Sequence, residues 1–306
     1  MAAPTIGGLV NVNKGRGPTS HDVVDMARRA LGTRRAGHAG TLDPAAHGVL
    51  VILFGRVTRL ARFFLGYNKQ YRAVVKLGAE TSTGDDEGDI LYKREVPGDA
   101  YDALAAVARS FEGEIAQEVP IFSAVKRDGE PLYRKARRGE AVTAPTRTVT
   151  VYRFEVESAE PPTFTAFVEC SGGTYIRALA RDIGRKLGVG GYLVDLTRLA
   201  VGPYTLADAL PQDRLANAAL DEILAPPHFT AAAELLPELA AARLPAAQVA
   251  DVAHGRFVPA PGNVRPGDAV RLLAPDGGLV GIGVVAEGGR VKPDAVLVTP
   301  EELGDV

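Results

Sequence analysis

Cysteine, methionine and tryptophan are scarce in this chain. Its 306 residues contain one cysteine, two methionines and no tryptophan. A single cysteine, Cys170, excludes a disulfide within the chain and is typical of a reducing compartment, so we expect a cytoplasmic protein. Long hydrophobic runs are also missing. The strongest uninterrupted one, Val49 to Phe54, is far too short to cross a bilayer.

Metal and cofactor chemistry are likewise not indicated. None of the five histidines stands at a metal-ligand spacing from a cysteine or a carboxylate. The segment from Gly281 to Ala286 matches a dinucleotide-binding fingerprint, but glycine-rich turns follow it instead of a helix. We therefore expect no metal and no organic cofactor.

What the chain does have is the composition of an ordinary globular protein and an uneven distribution of charge. Hydrophobic residues make up 46% and charged residues 24% of the sequence, and the net charge is −2. Residues 1–204 contain 28 Lys and Arg against 23 Asp and Glu, whereas residues 205–306 contain 7 against 14. The first two thirds of the chain are therefore basic and the last third is acidic.

Two clusters of basic residues lie in the first part of the chain. Tyrosines are interleaved with both, a pattern typical of surfaces that bind a phosphate backbone with exposed bases. A solvated helix face would explain one such cluster, but two together favour an RNA partner. The first cluster, without any acidic residue, is Arg56, Arg59, Arg62, Lys69, Arg72 and Lys76; the second is Lys126, Arg127, Arg134, Lys135, Arg137 and Arg138, against Asp128 and Glu130.

The spacing of apolar residues predicts strands and helices without regular βαβ alternation. Strands are predicted at 9–13, 49–54, 69–77, 147–157 and 163–170, and helices begin near residues 18, 57, 100 and 175. The acidic segment 83–89 is predicted as a loop and Asp128-Gly129 as a hairpin turn. This mixture predicts an α+β fold built on a mixed sheet.

The composition changes after about residue 206. Residues 206–245 are rich in Ala, Pro and Leu and are predicted to form a helical connector that packs on the core. Residues 246–306 are rich in β-formers separated by glycine-rich turns, a pattern typical of a small β-barrel-like domain. We therefore predict a core over residues 1–205, a connector over 206–245 and a small β-rich module over 246–306.

The most constrained loop runs from Arg35 to Pro44 and places one carboxylate, Asp43, between glycines, a histidine and a proline. Gly37 and Gly40 allow backbone conformations that are closed to other residues, and Pro44 restricts both itself and the residue before it. One interpretation is structural: Asp43 caps a helix that starts at Pro44. The other is that the loop positions the carboxylate for chemistry.

Five segments favour the second interpretation. They are Gly37–Pro44, Lys69–Ala73, Pro120–Lys126, Ser171–Arg177 and Leu196–Leu199. In this order they resemble the motifs of the TruB family of pseudouridine synthases, whose first motif reads Gly-His-Xaa-Gly-(Thr/Ala)-Leu-Asp-Pro. The resemblance extends to about residue 205 and implies a pseudouridine synthase catalytic domain, followed by a PUA-like RNA-binding module.

The resemblance also implies four catalytic residues. Asp43 would be the essential aspartate, acting as nucleophile or base, with Arg177 as its bidentate guanidinium partner. Tyr71 would stack on the extruded base, and Tyr175 would contact the base from another side and relay its C5 proton. Spacing alone would instead place Arg177 on the outer face of a helix with two other arginines. Without the resemblance, both tyrosines would be interpreted as ordinary core aromatics.

Further residues are implied to bind the substrate. His38 would hold the flipped conformation and Leu199 would line the uracil pocket. Lys14 would reach a phosphate or the edge of the active site, and Asp85 matches an acidic position in a loop of the family. The residues expected to contact the RNA backbone are Arg56, Arg59, Lys69, Arg72, Lys126 and Lys135.

The implied function is isomerisation of uridine to pseudouridine at position 55 in the T loop of tRNA, by base flipping, glycosidic bond cleavage and reattachment through C5. A monomer of the bacterial type is expected, acting on the tRNA T-stem-loop without a guide RNA, an obligatory protein partner or a membrane. Two alternatives stay open. One is a non-catalytic RNA-binding protein or tRNA-folding chaperone on the same scaffold. The other is a different uridine-modifying or glycosidic enzyme, which would need paired carboxylates near the site.

Overall fold

The computed structural model describes residues 7–123, 125–127, 129–138, 140 and 143–303. The strands in chain order are β1 (Gly7–Lys14), β2 (Ala36–His38), β3 (His47–Gly55), β4 (Lys69–Leu77), β5 (Ala79–Thr81), β6 (Ile90–Lys93), β7 (Gly113–Glu118), β8 (Lys126–Arg127), β9 (Glu130–Pro131), β10 (Thr146–Glu160), β11 (Thr163–Cys170), β12 (Gly191–Val201), β13 (Tyr204–Thr205), β14 (Leu210–Pro211), β15 (Phe229–Ala231), β16 (Ala240–Arg243), β17 (Val258–Pro259), β18 (Ala269–Leu273), β19 (Leu279–Ala286) and β20 (Arg290–Val296). The α-helices are α1 (Ser20–Ala30), α2 (Ala61–Leu65), α3 (Gly98–Arg109), α4 (Leu132–Arg137), α5 (Ile176–Lys186), α6 (Gln212–Asn217), α7 (Leu220–Ile223) and α8 (Ala246–Ala253). Short 3₁₀ helices lie at Arg56–Leu60, Ala232–Glu234 and Pro300–Leu303.

The described residues form two compact units. The first unit contains residues 7–44, 49–65 and 207–303, and the second contains residues 45–48 and 66–206. No helix in the described part of the chain has the length and apolar composition that a membrane crossing requires. The division of the chain at residues 205 and 245 stays a prediction.

The first unit contains two sheets. In one, β1 lies between β14 and β3, with β2 antiparallel to β3 and β15 antiparallel to β1. Helix α1 packs on this sheet because its apolar residues recur at helical spacing, and Val23, Val24 and Ala27 join a core with Ile52 and Phe54. The other sheet has the order β16-β18-β19-β20-β17 and its own core, which includes α8. The predicted β-rich C-terminal region is therefore confirmed.

The second unit is built on the antiparallel strands β12, β4, β11, β10 and β7, in that order. The first two residues of β3, His47 and Gly48, pair in parallel with β12. Strand β4 buries alternate residues from Lys69 to Leu77, as a half-buried strand should. Helix α5 packs on β12 and helix α3 on β10. The predicted α+β fold with a mixed sheet is confirmed.

Two local interpretations differ from the structure. No helix begins at Pro44: residues 44–45 form a turn and β3 starts at His47, so the helix-cap interpretation of Asp43 is wrong. Arg177 does not lie on the outer face of α5, since it is 6% exposed. The expected hairpin is present as β8 and β9 around Gly129, while Asp128 lies outside the described residues.

Candidate active site

The loop that carries Asp43, residues 39–44, is held by its backbone. Ser20, at the start of α1, is buried; its hydroxyl donates to the Leu42 carbonyl and accepts from the Leu42 N–H, both at 2.8 Å. The Pro44 carbonyl accepts from the Gly17 N–H at 2.9 Å. The residues on both sides of half-buried Asp43 are therefore fixed to the segment that precedes and starts α1.

Lys14 supports the same loop from the end of β1. Its side chain is fully buried, and its ammonium donates to the carbonyls of Gly15 at 2.8 Å and Pro44 at 3.3 Å. A buried ammonium cannot reach a phosphate in solvent, so the expected phosphate contact of Lys14 does not fit this position. A place at the edge of the Asp43 loop does fit.

One of the two glycines of this segment needs its special backbone freedom. Gly40 has φ +116°, a conformation that side chains rarely adopt. Gly37 lies in strand β2 and is not among the residues of positive φ, so the expectation for Gly37 is wrong. His38 follows it, half-buried and paired with Ile52 across β2 and β3.

Tyr71 and Leu199 lie on neighbouring strands of the second unit. Tyr71 is 7% exposed in the middle of the sheet, where it pairs with Val168 of β11 and Arg198 of β12. The register of β12 against β4 shifts between Arg198 and Ala200, which makes half-buried Leu199 the extra residue of a β-bulge. Bulges re-aim side chains next to functional sites, and this one lies beside Tyr71.

Tyr175 ends the turn of residues 171–175 and precedes α5. Its N–H donates to Oε1 of Gln117 at 2.8 Å and its carbonyl accepts from Nε2 of Gln117 at 3.1 Å. The Arg147 guanidinium lies over its ring, with Cζ 5.4 Å from the ring centroid. The turn is tied to β10 at its start as well, because the Ser171 N–H donates to the Thr150 carbonyl at 2.8 Å.

Arg177 is buried in the first turn of α5. Its Nη1 donates to the Thr83 carbonyl at 2.9 Å and its Nη2 to the Phe122 carbonyl at 3.0 Å. Nη1 also lies 3.5 Å from Oδ2 of Asp85. Two carbonyls fix the plane of the guanidinium, and the 83–89 loop brings Asp85 to it as expected of an acidic loop residue. The pairing of Arg177 with Asp43 stays a prediction.

Three arginines of the first basic cluster form contacts within the protein. Arg56 donates to the Leu297 carbonyl at 3.0 Å and Arg59 to the Val296 carbonyl at 2.6 Å, and Arg62 pairs with Asp294. These arginines therefore hold the end of β20 and the residue after it, although Arg59 and Arg62 stay exposed. Their contact with RNA stays a prediction.

Other members of the basic clusters differ in burial. Arg72 is exposed and forms a bidentate pair with Glu157 at 2.7 and 3.0 Å. Lys69 is 5% exposed, and burial together with the charge of Arg198 lowers the pKa of its ammonium to about 8. A buried ammonium of this kind is a poor phosphate contact, so Lys69 is not part of the proposed RNA surface. Lys135 is half-buried, and the side chain of Lys126 lies outside the described part of the structure.

Sequence analysis missed two polar groups of the second unit. Gln117 is fully buried on β7 and lies on the same face as Ile115 and Val119. A polar residue at an apolar position of an alternating strand could have been recognised from the sequence. His47 is the second: its Nε2 lies 2.9 Å from Oγ1 of Thr197 and its Nδ1 3.5 Å from Asp195. The position of His47, shortly after Asp43 in the sequence, could have drawn attention to it.

Comparisons with known proteins identify the family of this chain. Residues 28–176 match the family model of the TruB family pseudouridylate synthase N-terminal domain. Residues 177–228 match the tRNA pseudouridylate synthase B C-terminal domain, and residues 240–297 the pseudouridine synthase II TruB C-terminal region.

Similar proteins cover nearly the whole chain. The tRNA pseudouridine synthase B of Arthrobacter sp. (strain FB24) is 39% identical over 97% of this chain and 98% of its own length. That of Thermobifida fusca (strain YX) is 45% identical over 88% and 92%. Among solved structures, Cbf5 in the Cbf5–Nop10–Gar1 complex superposes with a TM-score of 0.73 at 27% identity, over 99% of this chain and 88% of that one.

The fold and the family matches therefore define a pseudouridine synthase, an isomerase that moves a uracil from its N1 bond to a C5 bond on the same ribose. The chain belongs to the TruB family. Its residues 177–228 match the family model of the tRNA pseudouridylate synthase B C-terminal domain. It isomerises uridine to pseudouridine in tRNA.

Proposed function

We propose that the target is uridine 55 in the T loop of tRNA, and that the chain acts as a cytoplasmic monomer without a guide RNA or an obligatory protein partner. This proposal is supported by the extent of the similarity, because the chain matches 98% of the length of the Arthrobacter tRNA pseudouridine synthase B. The Cbf5 structures are complexes with Nop10 and, in one case, Gar1. A uridine in a loop costs least to extrude, because it is not fully stacked and paired.

Asp43 is the proposed essential carboxylate at the sugar–base junction. In the reaction the N1–C1′ bond breaks, the C5–C1′ bond forms, and the C5 proton leaves while N1 gains one. Asp43 serves as nucleophile or base in this exchange, and Arg177 supplies a permanently charged planar partner. The observation that carries this role is the backbone of the Asp43 loop, fixed on both sides of Asp43 by Ser20, Gly17 and Lys14.

The flipped base is proposed to lie against two tyrosines. Tyr71 stacks on it, a contact worth roughly 1–3 kcal/mol, and Tyr175 contacts it from another side and relays the C5 proton. Leu199 on its bulge lines the uracil pocket, and His38 holds the flipped conformation. Asp85 orients Arg177, and the exposed arginines of the basic clusters contact the RNA backbone.

The test is Asp43→Asn on a T-stem-loop RNA, with pseudouridine mapped and RNA affinity measured in parallel. We expect at least about a 1000-fold loss of turnover, roughly 4 kcal/mol in barrier, with the affinity unchanged within about threefold. Asp102→Asn on α3 removes an exposed carboxylate and is the matched control, expected to keep full turnover. Turnover of Asp43→Asn within about tenfold of wild type, near 1.4 kcal/mol, would overturn the proposal.

A further inference from the structure

We propose that Gln117 and Arg147 are positioning residues that aim Tyr175 at the flipped base; this rests on the proposed role of Tyr175. The two residues lie directly opposite each other on β7 and β10. Cross-strand partners point to the same face of a sheet, and here that face carries the turn that ends at Tyr175. One member of the pair holds the backbone of Tyr175 and the other holds its ring.

Gln117 fixes the backbone of Tyr175. Its amide is fully buried and uses both ends on one residue, accepting from the Tyr175 N–H at 2.8 Å and donating to the Tyr175 carbonyl at 3.1 Å. Tyr175 is the N-cap of α5, but its own side chain makes no capping hydrogen bond. The start of α5 is thus set by a side chain 58 residues away in sequence. A buried amide with both groups bonded is a rigid support.

Arg147 fixes the ring and the turn before it. Its Nη1 donates to the Gly173 carbonyl at 3.2 Å, and its guanidinium lies over the Tyr175 ring. Gly173 has φ +86°, and a Cβ there would lie 3.0 Å from Arg147 Nη1. Glycine at this position therefore avoids a tight contact with the guanidinium that lies over the Tyr175 ring. Backbone and ring together leave the phenol little freedom.

A loss of this support is expected to change turnover more than binding. Tyr175 makes one contact with the reacting base, whereas RNA affinity is spread over many phosphate contacts. A displacement of a reacting group by about 1 Å is enough for a loss of roughly 100-fold in rate. The expected signature is a lower kcat at an almost unchanged KM.

The experiment is a double-mutant cycle of Gln117→Met and Tyr175→Ala on T-stem-loop RNA at saturating concentration. Methionine keeps the length of the glutamine side chain and removes both hydrogen-bonding groups. Gln117→Met alone is expected to lower kcat about 30-fold, with KM within threefold. In the Tyr175→Ala background the same change should lower kcat less than about twofold. Arg147→Met should show the same pattern with a smaller effect, about fivefold on kcat.

Three outcomes decide the proposal. Equal losses of kcat with and without Tyr175 mean that Gln117 supports the fold generally, which overturns it. Full kcat in Gln117→Met overturns it as well, whether or not the melting temperature changes. Full activity of Tyr175→Ala alone would refute the proposed role of Tyr175 and is visible separately. Val151→Ala, a buried position of β10, controls for destabilisation: it should lower the melting temperature and leave saturated kcat unchanged. If Gln117→Met does not fold, the cycle of Arg147→Met with Tyr175→Ala tests the proposal in the same way.

Discussion

A buried polar side chain forms two hydrogen bonds to the backbone of the Asp43 loop, and another does so at the Tyr175 turn, but the two side chains differ in chemistry. Ser20 uses a single oxygen, which donates to the Leu42 carbonyl and accepts from the Leu42 N–H. Gln117 uses two atoms of a rigid amide on Tyr175. The first side chain comes from 22 residues away in sequence and the second from 58. The first support joins α1 to the loop between β2 and β3, which follow it in the sequence. The second depends on the fold, which brings β7 to the start of α5.

The two regions also differ in the charges around them. The strand before the Tyr175 turn ends at Cys170, opposite Lys69 on β4. Burial raises the pKa of the Cys170 thiol to about 11, and the ammonium beside it has its pKa lowered to about 8. The last turn of α5 is anchored by Arg185, whose guanidinium binds buried Glu80 through two hydrogen bonds. The support of the turn should therefore depend on pH, whereas the hydrogen bonds of Ser20 to the Asp43 loop involve no titrating group and should not.

The largest expected effect is on the alkaline side and concerns Lys69. Its pKa lies near 8 in the folded chain and at 10.5 in the unfolded chain, so the unfolded chain binds more protons between these values. The contribution of Lys69 to stability should therefore rise with pH across that window, by roughly 3 kcal/mol at about 1.4 kcal/mol per pH unit. The raised pKa of Cys170 acts in the opposite direction above pH 9, so the comparison of wild type with Lys69→Met isolates the Lys69 contribution. Lys69→Met removes the slope, so its stability relative to wild type should be highest near pH 7 and fall towards pH 10.5. Urea unfolding at a series of pH values measures this.

The control for Lys69 is Lys76→Met on the same strand. It removes an equal charge from a less buried position of β4. A stability difference between Lys69→Met and wild type that stays constant from pH 8 to 10.5 would contradict the lowered pKa. It would also remove one of the two pH windows that distinguish the Tyr175 turn from the Asp43 loop.

A smaller effect is expected at the Asp43 loop itself. Ser20→Ala leaves the N–H and the carbonyl of Leu42 without their partner in a buried place, which should cost about 2 kcal/mol of stability. The cost should be the same at pH 5 and pH 9, because no titrating group is removed. The exposed Ser110, whose hydroxyl donates to the Val107 carbonyl and accepts from the Lys186 ammonium, gives the control Ser110→Ala, with a loss below about 0.5 kcal/mol. Equal losses for the two serines would mean that Ser20 does not pin the loop.

Sequence patterns predicted the elements whose periodicity is strong. The alternation of β4 and the helical spacing of α5 were enough for their positions, and the motifs pointed to Asp43, Tyr71 and Arg177 as residues to inspect. The turn at Pro44 could not be predicted in the same way, because Asp-Pro is an equally good helix-cap signal. Pairing of His47 and Gly48 with β12 decides for a strand, and that partner lies 150 residues further on.

Partners distant in sequence explain what the patterns could not supply. Arg56 and Arg59 have the composition of an RNA surface, but their hydrogen bonds go to carbonyls near the end of β20, more than 230 residues away. Gln117 likewise reveals its role only when β7 and the start of α5 are seen together. A sequence shows which side chains carry charge or polarity, and the fold decides which groups they meet.

The smallest expected effect is on the acidic side, at the far end of α5. Burial would raise the pKa of Glu80, but the hydrogen bonds and charge of Arg185, with the Tyr92 hydroxyl, hold it below its ordinary value of 4.5. The stabilisation is therefore present above that value and is lost as the pH falls through the lower pKa of the folded chain. Because Arg185 is half exposed, we expect Glu80→Gln to cost only about 1 kcal/mol at pH 7 and less towards pH 3.

Urea unfolding at both pH values measures this, with Glu157→Gln, the exposed partner of Arg72, as the control. A loss for Glu80→Gln that is as large at pH 3 as at pH 7 would mean that shape, and not charge, anchors this end of the helix. The Tyr175 turn would then be no more sensitive to acid than the Asp43 loop.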